Sequence, residues 1–308
     1  MATSVWFWVA FNAFVLAMLA LDLGVFHRRA HVIRPREAAA WTGVWVTLAL
    51  AFAAGLSWRA DAATALTFLT GYVIEQSLSV DNIFVIVMIF AYFEIPAKYQ
   101  HRVLFWGIIG ALVMRGAFIA AGAALLQRFH WIIYVFGGLL ILTGVRMAVR
   151  PEEDFDGERS PVMRLARRVL PLTDRYDGQK FFTTQGARRV ATPLFLVLLL
   201  VEVTDLIFAV DSIPAIFAVT RDPFLVYTSN VFAILGLRSL YFLLAGVVHQ
   251  FHYLRYGLAV ILVFVGTKMV AADAITIPIV VSLLIILGVL AISIIASLMR
   301  PREAAAER

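Results

Sequence analysis

Nine long apolar segments constrain what this chain can fold into more than any other feature of its sequence. A membrane-spanning helix needs about 20 mostly apolar residues. Segments of this kind lie at about 5–26, 40–58, 64–92, 103–126, 131–149, 191–217, 226–248, 256–271 and 275–298. Apolar residues make up 62% of the chain and charged residues 15%, whereas soluble domains average about 45–50% and about 25%. The sequence therefore predicts an all-α membrane protein with about nine transmembrane helices.

The motifs of common enzyme classes are absent from the sequence. It contains no HExxH, no GxSxG, no Walker loop and no GxGxxG. It also contains no cysteine, so these residues supply no disulfide, thiolate nucleophile or thiolate metal ligand. We expect a protein that is not an enzyme and that carries no prosthetic group.

The positions of lysine and arginine predict the orientation of the spans, because cytoplasmic connections carry an excess of these residues. If the N-terminus is outside, the external connections hold only Arg59, Arg128 and Arg221, and most other basic residues fall on the cytoplasmic side. This bias predicts a cytoplasmic C-terminus. It also explains the pI of about 9.8 without a nucleic-acid partner, and it leaves the lipid bilayer as the expected surroundings.

The connection at 150–190 is the one stretch that resembles a soluble segment. Within it, Val162, Leu165, Ala166 and Val169 recur at helical spacing between arginines. This pattern predicts either a short amphipathic helix on the inner leaflet, with arginines at anionic headgroups, or a solvated connector. The loop is also a candidate surface for protein partners.

An internal duplication runs through the spans. HWIIYVFGGLLILTGVRM begins at His130, and the similar HYLRYGLAVILVFVGTKM begins at His252. One helix earlier Arg115 matches Arg238, and two helices earlier VIEQSLSVDNIF matches VTDLIFAVDSIP. Charged residues thus match in the same order across three helices, which favours a true repeat over chance similarity between apolar segments.

The two repeats are spans 3–5 and spans 6–8. Each contains an odd number of spans and no span separates them, so the second repeat is expected to enter the membrane from the opposite side. Inverted repeats of this kind are typical of transporters, whose sites lie near the bilayer midplane. The expected organisation is two N-terminal spans (1–63), a first repeat (64–149), a basic loop (150–190), a second repeat (191–271) and a last span with its tail (272–308).

Five acidic residues lie inside the predicted spans. Span 3 carries Glu75 and Asp81, and span 6 carries Glu202, Asp205 and Asp211. An ionisable group at this depth costs about 2.5–3.5 kcal/mol on insertion scales and typically marks an ion pathway. Because spans 3 and 6 are antiparallel in this arrangement, their acids are expected to meet in the middle of the bilayer.

Polar side chains accompany the acids at helical spacing. Asn82 lies seven residues after Glu75, and Ser212 lies seven after Asp205, so each pair shares one helix face. The set offers carboxylate, amide and hydroxyl oxygens, which hard divalent cations such as Mn²⁺, Ca²⁺ or Mg²⁺ prefer.

Asp81 and Asp211 lie about 120° around a straight helix from these faces. Bringing them to the same site requires local unwinding, which Pro214 favours in span 6 because proline removes a backbone hydrogen bond. We therefore expect broken or tilted helices at the site.

Two basic residues and one further acid complete the candidates. Arg115 and Arg238 lie about mid-helix on spans 4 and 7 and are expected to act as counter-charges to the acids. Asp22, near the cytoplasmic end of span 1, is a candidate pathway residue or else simply reaches the lipid headgroups. The alternative to an ion site is that the acids and arginines form a buried network of ion pairs that only holds the helices together.

Four segments resemble the TerC/Alx family of bacterial inner-membrane proteins. They are EQSLSVDN at 75–82, LPLTDRYDGQKFF at 170–182, ATPLFLVLLLVEVTDLIFAVDSIPAIFAVTRDPF at 191–224 and SNVFAILGLRSLYFLL at 229–244. The family belongs with the LysE-type transporters and is associated with Mn²⁺ export and, in older naming, with tellurite resistance. The resemblance implies an inner-membrane location, Mn²⁺ as the substrate and an ion site formed by Glu75, Asp81, Asn82, Glu202, Asp205, Asp211 and Ser212.

Two functions stay open on the sequence. The first is a secondary transporter that exports Mn²⁺, with protons as a possible coupling ion. The second is a membrane partner without transport activity, which delivers metal to exported proteins or scaffolds them through the 150–190 loop.

Overall fold

The computed structural model describes residues 5–21, 33–149, 161–173, 175–185, 188–275 and 277–300. Helices account for most of them. They are α1 (Val5–Leu21), α2 (Pro35–Arg59), α3 (Ala62–Tyr92), α4 (Ala97–Arg128), α5 (Ile132–Val149), α6 (Pro161–Val169), α7 (Pro193–Phe217), α8 (Pro223–Leu244), α9 (Leu254–Val270) and α10 (Ile279–Met299), with a 3-10 turn at Val248–Phe251. The strands β1 (Phe182–Gln185) and β2 (Arg188–Ala191) form one antiparallel hairpin.

Within these described ranges, seven helices are long and apolar enough to cross a bilayer. They are α2, α3, α4, α5, α7, α8 and α10. The helices α1 and α9 have 17 residues each, which is about the shortest length that spans the hydrocarbon core. The prediction of a helical membrane protein is therefore confirmed.

Several helices begin at residues that suit a helix N-terminus. Proline occupies the first helical position of α2, α7 and α8, where its missing N–H costs nothing and its fixed φ is already helical. The carboxylate of Asp61 accepts a 2.6 Å hydrogen bond from the Thr64 amide at the start of α3, and this bond lowers the pKa of Asp61. These residues therefore explain where the four helices begin.

Four helices form the centre of the bundle. The helix α3 packs against α7 and α8, and α4 packs against the same two helices. Nearly all of α8 is buried. On one side, α1 and α2 cover the bundle through a cluster of phenylalanines that includes Phe11, Phe52 and Phe232. The polar residues of α3, α4, α7 and α8 therefore face each other in the interior.

The helices α5 and α9 cross at glycines. A Cβ atom at Gly144 would lie 2.8 Å from the carbonyl oxygen of Ala259, and one at Gly266 would lie 2.7 Å from the carbonyl oxygen of Gly137. Only glycine permits backbones to approach this closely, as at other helix contacts in membranes. The two contacts run in opposite directions along the helices, so α5 and α9 are antiparallel.

The connection at 150–190 contains a predicted helix and an unexpected hairpin. The helix α6 packs on the bundle through Met163 and Ala166, whereas Leu165 and Val169 are exposed. The hairpin β1–β2 was not predicted, because its strands are four residues long and rich in threonine and arginine. Near this hairpin the Tyr176 hydroxyl donates a 2.7 Å hydrogen bond to the carbonyl of Phe93, which ties the connection to the end of α3.

Candidate functional site

Arg115 is the centre of the polar interior. It projects from α4 and is only 2% exposed. Its Nε and Nη2 atoms donate to the two carboxylate oxygens of Asp205 on α7, at 3.2 and 2.8 Å. Its Nη1 atom donates to Oε1 of Glu75 on α3. One guanidinium thus bridges acids from two different helices.

Ser212 and Asn230 complete the arrangement around Arg115. The Nη1 atom lies 3.2 Å from Oγ of Ser212 and 3.3 Å from Oδ1 of Asn230. The amide of Asn230, on α8, donates a 3.0 Å hydrogen bond to Oε2 of Glu75. We call Glu75, Arg115, Asp205, Ser212 and Asn230 the central cluster. It joins α3, α4, α7 and α8.

The formal charges of the central cluster do not balance. Two carboxylates face one guanidinium, and Glu75 is fully buried whereas Asp205 is 11% exposed. Buried charges are tolerated only when they are paired and hydrogen-bonded. The cluster therefore contains one more acid than base, and the second oxygen of Glu75 accepts its hydrogen bond from the neutral Asn230.

Glu202 lies one helical turn before Asp205, beside the central cluster. Its carboxylate occupies the space where a Cβ atom of Gly110 on α4 would lie. The Oε2 atom of Glu202 is buried and accepts no hydrogen bond from the described residues. Gly110 therefore makes room for a third carboxylate.

A small cavity adjoins the central cluster. It has a volume of about 20 Å³, close to what one water molecule occupies, and its wall includes Asn82, Asp205 and Arg238. On α3, the acceptor atoms Asn82 Oδ1 and Ser79 Oγ are buried without a hydrogen-bond partner among the described residues. Oxygen atoms in this state suit a water molecule or a cation as the missing partner.

Asp211 does not join the central cluster. Its carboxylate accepts a 2.9 Å hydrogen bond from Thr143 on α5. The expected break at Pro214 is wrong, because α7 continues as a helix through this residue to Phe217. The helix α3 is also unbroken, so Asp81 stays about 120° around it from Glu75.

The structure thus brings together part of the predicted set. Glu75, Asp205, Ser212 and Arg115 make direct contacts, and Glu202, Asn82 and Arg238 lie next to them. In the described part of the chain, no three His, Asp or Glu side chains are close enough together to hold a metal ion. The seven-residue ion site therefore stays a prediction, and Asp22 lies outside the described residues.

The sequence interpretation missed Asn230. The signal was present, since an asparagine in the apolar segment 226–248 needs hydrogen-bond partners at membrane depth. Asn230 has no polar counterpart in the first repeat, so the comparison of repeats passed over it.

Comparisons with known proteins agree on one family. The profile of the Integral membrane protein TerC family matches residues 60–305. A Myxococcus xanthus protein, "Uncharacterized membrane protein STKORF319", is 58% identical over 96% of this chain and 93% of its own length. The Escherichia coli (strain K12) protein named "Putative membrane-bound redox modulator Alx" is 52% identical over 94% of this chain and 92% of its own length.

A more distant relative, a membrane protein of Rickettsia bellii, is 41% identical over 95% of this chain and 97% of its own length. No solved structure matches the chain significantly. The family profile and these relatives cover most of the chain, including every member of the central cluster. The resemblance read from the four sequence segments is confirmed, and the chain belongs to the TerC family of integral membrane proteins.

Proposed function

We propose that this protein is a secondary transporter that exports a hard divalent cation, Mn²⁺ in the first place, across the bacterial inner membrane. The observation that carries the proposal is the central cluster, in which the buried Glu75 and the largely buried Asp205, on different helices, share one arginine. A divalent cation and the Arg115 guanidinium would compete for the same oxygen atoms. The choice of Mn²⁺ among hard cations rests on the resemblance to the family.

The proposed architecture has nine spans and two inverted repeats, α3–α5 and α7–α9. Two sets of contacts support the inversion. The helix α3 packs on α8 as its counterpart α7 packs on α4. At the crossing of α5 and α9, Gly144 meets Ala259 as its counterpart Gly266 meets Gly137. In this arrangement the N-terminus is outside and the C-terminus is cytoplasmic.

The proposed ion site uses oxygen atoms of the central cluster and its neighbours. Carboxylates of Glu75 and Asp205 would supply charge, and Asn230 and Asn82 would supply neutral oxygens, while Glu202 lies beside them as a further acid. Ligands of this type suit Mn²⁺, Ca²⁺ and Mg²⁺ better than copper. Asp81 and Asp211 stay predictions as ligands.

Arg115 would act as the counter-charge of the empty site. When a cation binds Asp205 and Glu75, the guanidinium loses its partners and has to move toward other acceptors. Arg238, which lines the adjacent cavity, is the matching basic residue of the second repeat. Exchange of the acids between a cation and an arginine would link ion binding to a change in packing between the repeats.

Transport of Mn²⁺ into sealed vesicles tests the proposal. Purified protein is reconstituted, and Mn²⁺ entry is followed with a trapped fluorescent indicator, with and without a pH gradient. We expect Asp205→Asn to abolish flux, because it removes an anionic ligand from the centre of the site. Asp61→Asn, at the exposed start of α3, is the matched control and should transport normally. Equal flux through Asp205→Asn and the unchanged protein would contradict the proposal.

The second candidate function is a membrane partner without transport activity. The segment that contains α6 and the hairpin favours it, because it is folded and forms with the end of α3 a cavity of about 790 Å³ lined by Glu94, Arg167 and Tyr176, among others. Such a partner needs no flux, so the vesicle assay separates the two functions. A redox role based on thiols is not available to these 308 residues, which include no cysteine.

A further inference from the structure

A third cavity opens at the end of the bundle where α4 meets α5. Its volume is about 370 Å³. Its wall is formed by Ala123, Leu126, Gln127, Arg128, His130, Phe217 and Arg221. The predicted topology places this end outside the cell. On the bundle side the cavity ends at Ala123 and Phe217, which are both buried.

An apolar layer separates this cavity from Arg115. We call Ile119, Ala123, Ile213, Ile216 and Phe217 the apolar seal. They belong to one hydrophobic cluster, and each is at most 7% exposed. On α4, Ile119 and Ala123 lie one and two turns beyond Arg115, so the seal is about 12 Å deep along this helix.

The contact between Phe217 and Gly122 closes the seal. A Cβ atom at Gly122 would lie 2.9 Å from Cε2 of the Phe217 ring, which is shorter than the usual van der Waals separation of about 3.5–4.0 Å. The ring of α7 therefore rests directly on the backbone of α4. The side of the central cluster that is lined by Asn82 and Arg238 is less tightly packed, because the 20 Å³ cavity lies there.

We propose that Phe217 is the gate residue between the central cluster and the cavity at the α4–α5 end. Removal of the ring from Gly122 opens a path past Ile119 to Arg115, and its return closes the path. The role of this gate in ion passage rests on the proposed transport function. The closure itself depends only on packing and can be tested without any ion.

Because the sequence contains no cysteine, a maleimide reagent reports only on a cysteine that is introduced by substitution. A cysteine is placed at Gln127, in the open cavity, or at Ile119, behind Phe217. Each protein is treated in membrane vesicles of both orientations with a membrane-impermeant maleimide. We expect Gln127→Cys to react from one side, and Ile119→Cys to react slowly from that same side.

Removal of the ring should expose the deeper cysteine. In the Phe217→Ala background, the reaction rate of Ile119→Cys should rise by about tenfold or more, the change produced by the loss of about 1.4 kcal/mol of closure energy. Gly122→Ala should have the same effect, because its methyl group displaces the ring. Gly138→Ala is the matched control, since a Cβ atom at Gly138 has no neighbour within 4 Å.

Gly122→Ala keeps the test decisive if Phe217→Ala does not fold. Rapid reaction of Ile119→Cys in the otherwise unchanged protein would overturn the proposal. So would unchanged slow reaction in the folded variants. If the unchanged protein shows no Mn²⁺ flux in the vesicle assay but the labelling pattern is as expected, the transport proposal is rejected and the closure by Phe217 still stands.

Discussion

Substitution of Arg115 by methionine should destabilise the protein strongly. The side chain of methionine keeps much of the length and the apolar volume of arginine but removes its charge. Glu75 and Asp205 would then face each other in the interior without the guanidinium that both now contact. Asn230 would still donate to Glu75, whereas Asp205 would lose a two-point contact.

The expected magnitude follows from this geometry. Removal of one partner from a buried ion pair typically costs about 3–5 kcal/mol, whereas replacement of the whole pair by neutral groups is often close to neutral. A second protein with Glu75→Gln and Asp205→Asn in addition to Arg115→Met should therefore regain most of the lost stability. At about 2 °C per kcal/mol for a chain of this size, the single substitution should lower the melting temperature by about 6–10 °C.

Thermal unfolding in detergent, followed by the loss of the monodisperse peak in size-exclusion chromatography, measures these differences. Arg188→Met, at an exposed position of β2, controls for the loss of an arginine as such and should melt with the unchanged protein. The reasoning is refuted if Arg115→Met melts with the control. It is also refuted if neutralisation of the two acids restores nothing.

Two further predictions concern helix packing and pH. Gly144→Ala and Gly266→Ala should each lower the free energy of unfolding by about 1–3 kcal/mol through overpacking, and should lower the melting temperature equally. The control Gly138→Ala should leave the melting temperature unchanged, because a Cβ atom there has no neighbour within 4 Å. Unequal effects of the first two substitutions would contradict the matched crossing of α5 and α9. Hydrogen bonds from Tyr134 and His130 hold the pKa of Asp273 in the folded protein below its ordinary value. The Asp273 carboxylate therefore stabilises the folded state at pH values above its unfolded pKa of about 3.9. This stabilisation is lost as the pH falls through the lower pKa of the folded protein. Tyr134→Phe should therefore melt lower at pH 7 and approach the unchanged protein below about pH 4; a difference that is constant with pH would contradict this assignment.

The fold was largely predictable because its signals are local. The long apolar runs determine the helices, and Pro35, Pro193 and Pro223 mark where three of them begin. The hairpin β1–β2 was not predictable in this way, since its strands lie at the foot of the bundle and depend on contacts with it. For example, the ring of Phe182 in β1 contacts the ring of Phe195 in α7, with ring centroids 4.6 Å apart.

The candidate site was predictable in its charges and less so in its geometry. The acids and Arg115 are conspicuous inside apolar segments, and helix periodicity correctly grouped Asp205 with Ser212. The direction of Asp211 depends on Thr143 of another helix, which no pattern within one segment reveals. Asn230 likewise acts through partners that are distant in sequence.

The crossing of α5 and α9 also has a consequence for biosynthesis. The glycine face of α5 packs chiefly on α9. The corresponding glycines at this crossing are Gly144 in α5 and Gly266 in α9. At about 5–20 residues per second, the ribosome needs about 6–25 s to synthesise the chain between them. During that interval α5 is already in the bilayer and its small-residue face borders lipid or other helices. Docking of α5 on α9 is therefore a late event, which follows insertion of α9 and joins two helices that entered the bilayer separately.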